Sequence, residues 1–363
     1  MKGRNLIALL LAGSLGAAAA AQQGPGPGPA PGPAGGPARA GGAPRGNPLP
    51  PPEPIEHVTG NIYKIFGGGG NTLVVVQKDG VVLVDTKMPG NGPYIVEQVK
   101  KITDKPIKLV INTHSHPDHV GSNDYIREQY PNVRIVMNEG AKQELSGPRA
   151  NPKLLPTETY TDRMTIGSGV DRIELYHFGR GHTNGDTFVL FPAARLLCMG
   201  DVMAWNMAPF LPAGGAEAIA DETNALVKAV AGKVDLVEEG HGHMNTWAGL
   251  VRLAKFDRAL VDAARRHYDA GDPPGMAVAD LKKNPDFAPL LDTHIKKGLE
   301  YGNTPLARAH MNVNVAYTEF AGESAGFGIA NGAPLPATAK HKGSDSKDTA
   351  PPTPAMLAAE VAK

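Results

Sequence analysis

Thr113-His114-Ser115-His116-Pro117-Asp118-His119 places three imidazoles and one carboxylate directly after the apolar run Ile107-Lys108-Leu109-Val110-Ile111. The apolar run predicts a buried strand, so the polar stretch begins where that strand ends. Side chains two residues apart in an extended segment project to the same side, and His114 and His116 can therefore bind one metal ion together. The stretch predicts a metal site at a strand end rather than a histidine-rich surface loop.

The second half of the same stretch points to a second ion. Pro117 turns the chain, so Asp118 and His119 project away from the first two histidines. An adjacent Asp-His pair does not easily reach the same ion, but it suits another ion about 3.5 to 4 Å away. Two ions at that spacing form a hydrolytic clamp, and the stretch therefore predicts a centre with two metal ions.

Further ligands are expected at strand ends in glycine-rich turns, because glycine lets the backbone turn tightly and approach an ion. Three segments follow or separate strand-like apolar runs in this way. They are Gly181-His182-Thr183-Asn184-Gly185-Asp186, Gly200-Asp201 and Gly240-His241-Gly242-His243. His243 lies two residues beyond His241 and would face the same side of an extended segment, so either histidine could be the ligand.

The order of the candidate ligands along the chain, and the intervals between them, resemble the pattern of the metallo-β-lactamase-fold (MBL-fold) hydrolase superfamily. The resemblance covers roughly residues 55 to 250 and includes the glycine run Gly67 to Gly70 and the segment Gly80 to Thr86. It implies an α/β protein built as a four-layer αββα sandwich, with the metal ligands along one edge. Asp85 ends a strand near that edge and is expected to support the ligand loops.

The resemblance also implies how the ligands divide between two zinc ions. The first ion would be bound by His114, His116 and His182, and the second by Asp118, His119 and His241, with Asp201 bridging the two. The family pattern favours His241 over His243. Two Zn²⁺ per chain would produce a bridging hydroxide near neutral pH, and Asp118 would orient it, which makes Asp118 the predicted catalytic residue.

The residue at position 201 bears on the substrate. The β-lactamases of this superfamily that have a Cys ligand carry it at the position held here by Asp201, whereas those whose second zinc uses Asp, His and His lack an acid there. A bridging Asp is typical of the thioesterase, lactonase and other hydrolase branches. The expected reaction is hydrolysis of a small-molecule amide, ester, lactone or thioester, and β-lactam hydrolysis is one option among these. Cys198, the only cysteine, is expected in the core.

Two further functions stay open on the same residues. One is an iron-dependent oxidoreductase of the sulfur dioxygenase type, which occurs on the same fold. The other is an exported metal-binding or ligand-binding protein with weak catalysis. Metal content separates the hydrolase from the dioxygenase, and loss of turnover in His116→Ala separates an enzyme from a binding protein.

Composition divides the chain into segments. Residues 1–21 read as a secretory signal peptide, and residues 22–54 read as a Pro/Gly-rich disordered linker. Residues 55–330 are the predicted catalytic domain, with a C-terminal helical extension from about residue 245, and residues 331–363 are a predicted disordered tail. The mature protein is therefore expected to be periplasmic or secreted, without stable membrane insertion.

Charge and apolar patterning indicate the partners. The 36 basic and 36 acidic residues balance without a long block of either sign, which argues against nucleic acid as substrate. The segment Met203 to Gly215 leads from the Asp201 strand toward the expected entrance of the metal site. It contains Trp205, Met207 and Phe210, which could form an apolar wall for a small molecule or simply pack as a loop. The stripe on the helix predicted for Trp247 to Tyr268 is expected to pack on the core rather than form a dimer interface. The sequence leaves the oligomeric state open.

Overall fold

The computed structural model describes residues 51–147, 150–211, 215–294 and 304–330, together with residues 332, 333, 335, 336 and 339. The predicted signal peptide, the linker up to residue 50 and most of the predicted tail lie outside the described residues. Among the helices that are described, none combines the length and the apolar character needed to cross a bilayer. The predicted domain boundaries stay predictions.

Seven strands form the first sheet, in the order in which they follow one another along the chain. They are β1 (Glu56–Thr59), β2 (Ile62–Ile65), β3 (Thr72–Gln77), β4 (Gly80–Val84), β5 (Ile107–Ile111), β6 (Arg134–Asn138) and β7 (Glu158–Tyr160). Pairs from β1 to β4 are antiparallel, and pairs from β4 to β7 are parallel. The parallel part therefore brings the carboxyl ends of β4, β5 and β6 to one edge.

The helices of the first half lie in the connections between its parallel strands. They are α1 (Gly92–Lys100), α2 (Pro117–Val120), α3 (Asn123–Gln129) and α4 (Glu139–Leu145). The sequence pattern predicts a single helix from His119 to Tyr130, and this is wrong in the structure. The amide of Gly121 donates to the carbonyl oxygen of Lys87 (2.9 Å) instead of extending the helix, so the chain breaks between α2 and α3.

Six strands form the second sheet, in the order β13-β12-β11-β10-β9-β8. They are β8 (Arg163–Ile166), β9 (Ile173–Tyr176), β10 (Phe188–Phe191), β11 (Leu196–Cys198), β12 (Leu236–Glu238) and β13 (Asn245–Thr246). Only β11 and β12 pair in parallel among the described strands of this sheet. The helix α5 (Ala216–Val230) forms the crossover between them.

Alternating side chains sort the core into layers. Leu73 and Val75 of β3 face the second sheet and pack with Val189 and Phe191 of β10. Val74, between the first two, faces the opposite way and packs among residues of α1 and α3. Leu190 likewise faces the helices on the outer side of the second sheet. Helices therefore cover both outer faces of two packed sheets, which confirms the predicted αββα sandwich.

The C-terminal extension is helical, as predicted. It consists of α6 (Trp247–Ala270), α7 (Gly275–Leu281), α8 (Pro305–Phe320) and α9 (Gly326–Ala330). The apolar stripe of α6, including Leu250, Phe256 and Leu260, is buried in the same cluster as α5, α7 and α8. The prediction that this stripe packs on the core is confirmed. Thr246 caps the start of α6 by accepting a hydrogen bond from the amide of Gly249.

Glu222 of α5 is a buried carboxylate whose two oxygens have no hydrogen-bond partner among the described residues. Burial raises the pKa of this carboxyl well above its usual value, and the nearby Asp186 and Asp257 raise it further. Folding must then bind a proton at neutral pH, which costs stability. Because the unfolded chain releases this proton above its ordinary pKa, the cost grows as pH rises toward the folded-state pKa.

We therefore expect Glu222→Gln to be more stable than the unmodified protein at pH 8, by about 1–3 kcal/mol, and to differ little near pH 4. Urea unfolding at both pH values measures this, with Glu217→Gln as the control because Glu217 lies on the exposed face of the same helix. An equal effect of Glu222→Gln at both pH values would contradict the assignment of an uncompensated buried charge.

Candidate metal centre

The predicted ligands occupy one edge of the sandwich because each follows a strand or joins two strands. The segment His114 to His119 follows β5 of the first sheet. His182 lies in the connection from β9 to β10, while Asp201 and His241 follow the parallel strands β11 and β12 of the second sheet. Both sheets thus contribute side chains, and the structure brings all seven predicted ligands together in two groups.

The first group consists of His114, His116, His182 and Asp201, whose ligand atoms all lie within 4.8 Å of one another. The Nδ1 atom of His116 lies 2.9 Å from the Nε2 atom of His182. The same Nε2 atom lies 3.7 Å from Oδ2 of Asp201. Three rings and a carboxylate therefore converge on one small volume.

The second group consists of Asp118, His119, Asp201 and His241. Oδ2 of Asp118 lies 3.1 Å from Nε2 of His241, and Oδ1 of Asp201 lies 3.1 Å from Nε2 of His119. The two ring nitrogens of His119 and His241 are 3.3 Å apart. Asp201 belongs to both groups, so one carboxylate joins them.

These spacings fit metal ligation. Donor atoms at about 2.0–2.1 Å from a tetrahedral zinc ion lie about 3.3 Å from one another. The ring nitrogens of His119 and His241, 3.3 Å apart, match that separation, and those of His116 and His182, at 2.9 Å, are about 0.4 Å closer. The Nε2 atom of His114 is buried and has no hydrogen-bond partner among the described residues, which is the state of a nitrogen whose partner is an ion. The donor set is suited to zinc and to other first-row divalent ions.

The electrostatics of the two groups differ. Burial lowers the pKa of His114 well below its usual value, and it lowers the pKa of His182 to about 3. Burial likewise lowers the pKa of His116. All three rings are therefore neutral near pH 7, which is the form of histidine that binds a metal ion.

In the second group, neighbouring carboxylates outweigh burial in their effect on the pKa values of the two histidines. Burial alone would lower the pKa of His119, but Asp201, Asp118 and Asp85 outweigh it and raise that pKa well above the usual value. In His241, burial is likewise outweighed by Asp201 and Asp118, and the pKa rises to about 9. A divalent ion bound here would replace protons on these two rings.

One carboxylate supports ligands of both groups, in the role predicted for Asp85. Its Oδ2 accepts a hydrogen bond from Nδ1 of His119 (2.7 Å) and one from the hydroxyl of Thr113 (2.6 Å). The Thr113 oxygen then lies 3.0 Å from Nδ1 of His114, from which it can accept. Both rings are thereby held with Nε2 directed at the metal positions.

A second support comes from the C-terminal extension and was not predicted from the sequence. Nδ1 of His182 donates to the carbonyl oxygen of Phe210 (2.6 Å). Behind that loop, Asn312 of α8 donates to the carbonyl oxygen of Pro209 (3.0 Å), and the Arg308 guanidinium lies 4.8 Å from the centre of the Phe210 ring. No sequence signal could have revealed this contact, because neither α8 residue belongs to a motif.

The three predicted substrate-contact residues differ in their surroundings and in their exposure. The Trp205 ring stacks on His241, with ring centres 4.4 Å apart and planes 15° from parallel. The Phe210 ring lies 6.2 Å from the His182 ring. Met207 is only 3% exposed and packs inside the fold. An aromatic side chain therefore flanks one histidine of each ligand group, whereas Met207 packs away from the surface.

The structure also gives the surroundings of His243 and Cys198, on which the sequence made predictions, and of the glycine run. His243 lies outside both ligand groups and stacks on Phe66, with ring centres 5.5 Å apart. Cys198 is buried between the sheets and its thiol donates to Glu238 (3.0 Å), so it is in the core as predicted. The glycine run Gly67 to Gly70 is part of the hairpin connection between β2 and β3.

Comparisons with known proteins agree with this arrangement. The sequence profile of the metallo-beta-lactamase superfamily matches residues 65–261, which is more than half of the chain. The chain belongs to this superfamily.

Individual relatives are distant and have different activities. The 2,4-dinitroanisole O-demethylase subunit alpha of Nocardioides sp. (strain JS1661) is 28% identical over 162 residues, which cover 42% of this chain and 48% of that protein. The metallo-beta-lactamase type 2 of Elizabethkingia meningoseptica is 26% identical over 152 residues, covering 39% and 56%. The chain therefore spans about half of the length of each.

Among solved structures, the inverting sec-alkylsulfatase Pisa1 from Pseudomonas sp. has the same fold. It superposes with a TM-score of 0.57 at 16% identity, and the match covers 74% of this chain and 50% of that one. Because the identity is low, this likeness concerns the fold alone.

Proposed function

We propose that this protein is a binuclear zinc-dependent hydrolase of a small-molecule amide, ester, lactone or thioester. One observation carries the proposal: Asp201 belongs to both ligand groups, so two ions would share a carboxylate and lie close enough to act on one substrate. When bound, two zinc ions supply a hydroxide at neutral pH and polarise the carbonyl that it attacks.

The chain's own residues then have distinct roles. Burial opposes ionisation of Asp118, but the adjacent His119 and His241 hold the pKa of its carboxyl well below the usual range. It therefore remains a carboxylate that can accept a hydrogen bond from water and fix its orientation. Its side chain is 18% exposed, so water can reach it.

The surroundings favour an organic substrate with an apolar part. Trp205 and Phe210 are both partly exposed and flank the ligand groups, where they can contact such a molecule. The balanced charge of the chain, without a long block of basic residues, argues against a nucleic acid as substrate. We further propose that the protein acts after export, in a periplasm or outside the cell, because residues 1–21 have the pattern of a signal peptide.

The test combines metal analysis with turnover. Protein purified from residue 22 onward is expected to contain two zinc ions per chain and to lose hydrolysis on treatment with a chelator. The leaving group is assigned with four test substrates, which are a chromogenic cephalosporin, an aryl ester, a lactone and a thioester. A kcat/KM above about 10⁴ M⁻¹s⁻¹ identifies a real substrate. One iron per chain with oxygen consumption would instead indicate a dioxygenase. Two bound ions without turnover on any of these substrates would favour a binding protein.

A further inference from the structure

The glycine run Gly67 to Gly70 and the next residue, Asn71, contact two of the three segments that supply the second ligand group. The amide of Gly70 donates to the carbonyl oxygen of Asp118 (2.9 Å), and a Cβ at Gly70 would lie 2.3 Å from the His119 ring. The next residue, Asn71, donates its amide to the carbonyl oxygen of Gly240 (2.7 Å), directly before His241. The run and Asn71 therefore pack directly against the segments that carry Asp118, His119 and His241.

The buried side chain of Lys87 forms hydrogen bonds to the glycine run and to the end of β2. Its side chain is fully buried, and its Nζ donates to three carbonyl oxygens, those of Ile65 (2.7 Å), Gly67 (2.7 Å) and Gly70 (2.9 Å). Three acceptors require the three donors of the charged ammonium, since a neutral amine has only two. Burial lowers the pKa of Lys87 to about 7, against the opposing effect of Glu238 and Asp85.

The backbone around Lys87 is tied to the same ligands. Lys87 and Asp85 both have positive φ, 63° and 61°, which residues other than glycine rarely adopt. Between them, the amide of Thr86 donates to the carbonyl oxygen of His119 (2.7 Å). An unusual backbone at two positions thus points the Asp85 carboxylate at His119 and the Lys87 ammonium at the glycine run.

We propose that Lys87 is a positioning residue for the second metal ion. Its ammonium fixes the glycine run against Asp118 and His119, and so sets the spacing of the second ligand group. An apolar side chain here would avoid the cost of burying a charge, but it would remove the hydrogen bonds that three buried carbonyl oxygens accept from the ammonium. This proposal rests on the proposed binding of two ions.

The test compares Lys87→Met with Lys64→Met in the otherwise unmodified protein. Lys64 is the matched control because it is 1% exposed on β2 and forms its ion pair with Glu56 rather than with the glycine run. Metal-free protein is titrated with Co²⁺, and the absorbance of bound Co²⁺ gives the stepwise affinities of the first and the second ion. We expect Lys87→Met to keep the first affinity and to weaken the second by about 10- to 100-fold, whereas Lys64→Met changes neither by more than about threefold.

Amide hydrogen exchange of Gly68, Gly69 and Gly70 in the metal-free protein is the second readout. It should be faster in Lys87→Met than in Lys64→Met. If Lys87→Met does not fold, Lys87→Gln, which keeps two of the donors, takes its place with the same expectation. Unchanged second-ion affinity, or equal weakening of both ions in the two variants, overturns the proposal.

Failure of the proposed function gives a different result. If the unmodified protein binds a single ion, two-ion hydrolysis is wrong, and the role of Lys87 is then decided by exchange alone. Faster exchange of the three glycines only in the Lys87 variant supports the positioning role, and equal exchange in both variants rejects it.

Discussion

Asp201→Ala is expected to abolish binding of at least one metal ion and to lower kcat by more than about 100-fold, because this carboxylate belongs to both ligand groups. Loss of Asp201 also removes a carboxylate that lies 3.1 Å from Nε2 of His119 and 3.3 Å from Nε2 of His241. Elemental analysis of the dialysed protein measures the bound ions, and turnover of the best of the four test substrates measures kcat.

The matched control for that change is Asp79→Ala, since Asp79 is exposed and lies outside both groups. It should keep two ions and full turnover. An Asp201→Ala protein that retains two ions and at least half of the original kcat would show that the two groups do not depend on a shared carboxylate.

Gly70→Ala is expected to destabilise the protein by about 1–3 kcal/mol and to remove the second ion. The added Cβ would lie 2.3 to 2.6 Å from three atoms of the His119 ring. The ring cannot simply move aside, because its Nδ1 is bound to Asp85 at 2.7 Å. Thermal unfolding of the metal-free protein gives the loss of stability, and elemental analysis gives the loss of metal.

Gly147→Ala is the control for that prediction because a Cβ at Gly147 meets nothing within 4 Å among the described residues. It should leave both stability and metal content unchanged. If Gly70→Ala bound two ions with ordinary stability, the close packing of the glycine run on His119 would not be needed.

The residues that the structure brings together in the two groups were predictable from the sequence because their signals are local. His114, His116, Asp118 and His119 occur within one turn after an apolar run, and the remaining ligands follow strand patterns next to glycines. The order of the layers was predictable for a similar reason. Successive side chains of β3 and β10 point alternately to the other sheet and to the outer helices.

The supporting residues were not predictable in the same way. A lysine is ordinarily exposed, and nothing near Lys87 in the sequence indicates burial. Its three partners lie 17, 20 and 22 positions earlier in the chain. The contact of Asn312 with Pro209 spans 103 positions. Such contacts depend on how whole layers pack, and no local pattern encodes that.

The side chain of Asn71 joins the two sheets, and this has a consequence for how the protein acquires its metal. Its Nδ2 donates to Oε1 of Glu238 (2.8 Å) and to the carbonyl oxygens of Glu239 and Gly242, across 167 to 171 positions. Contacts between residues that are this far apart in the sequence form slowly, after local structure has formed. We therefore expect the second ligand group to become complete only late in folding. We expect metal capture to follow this closure, so that the rate of metal uptake during refolding reports the docking of the two halves.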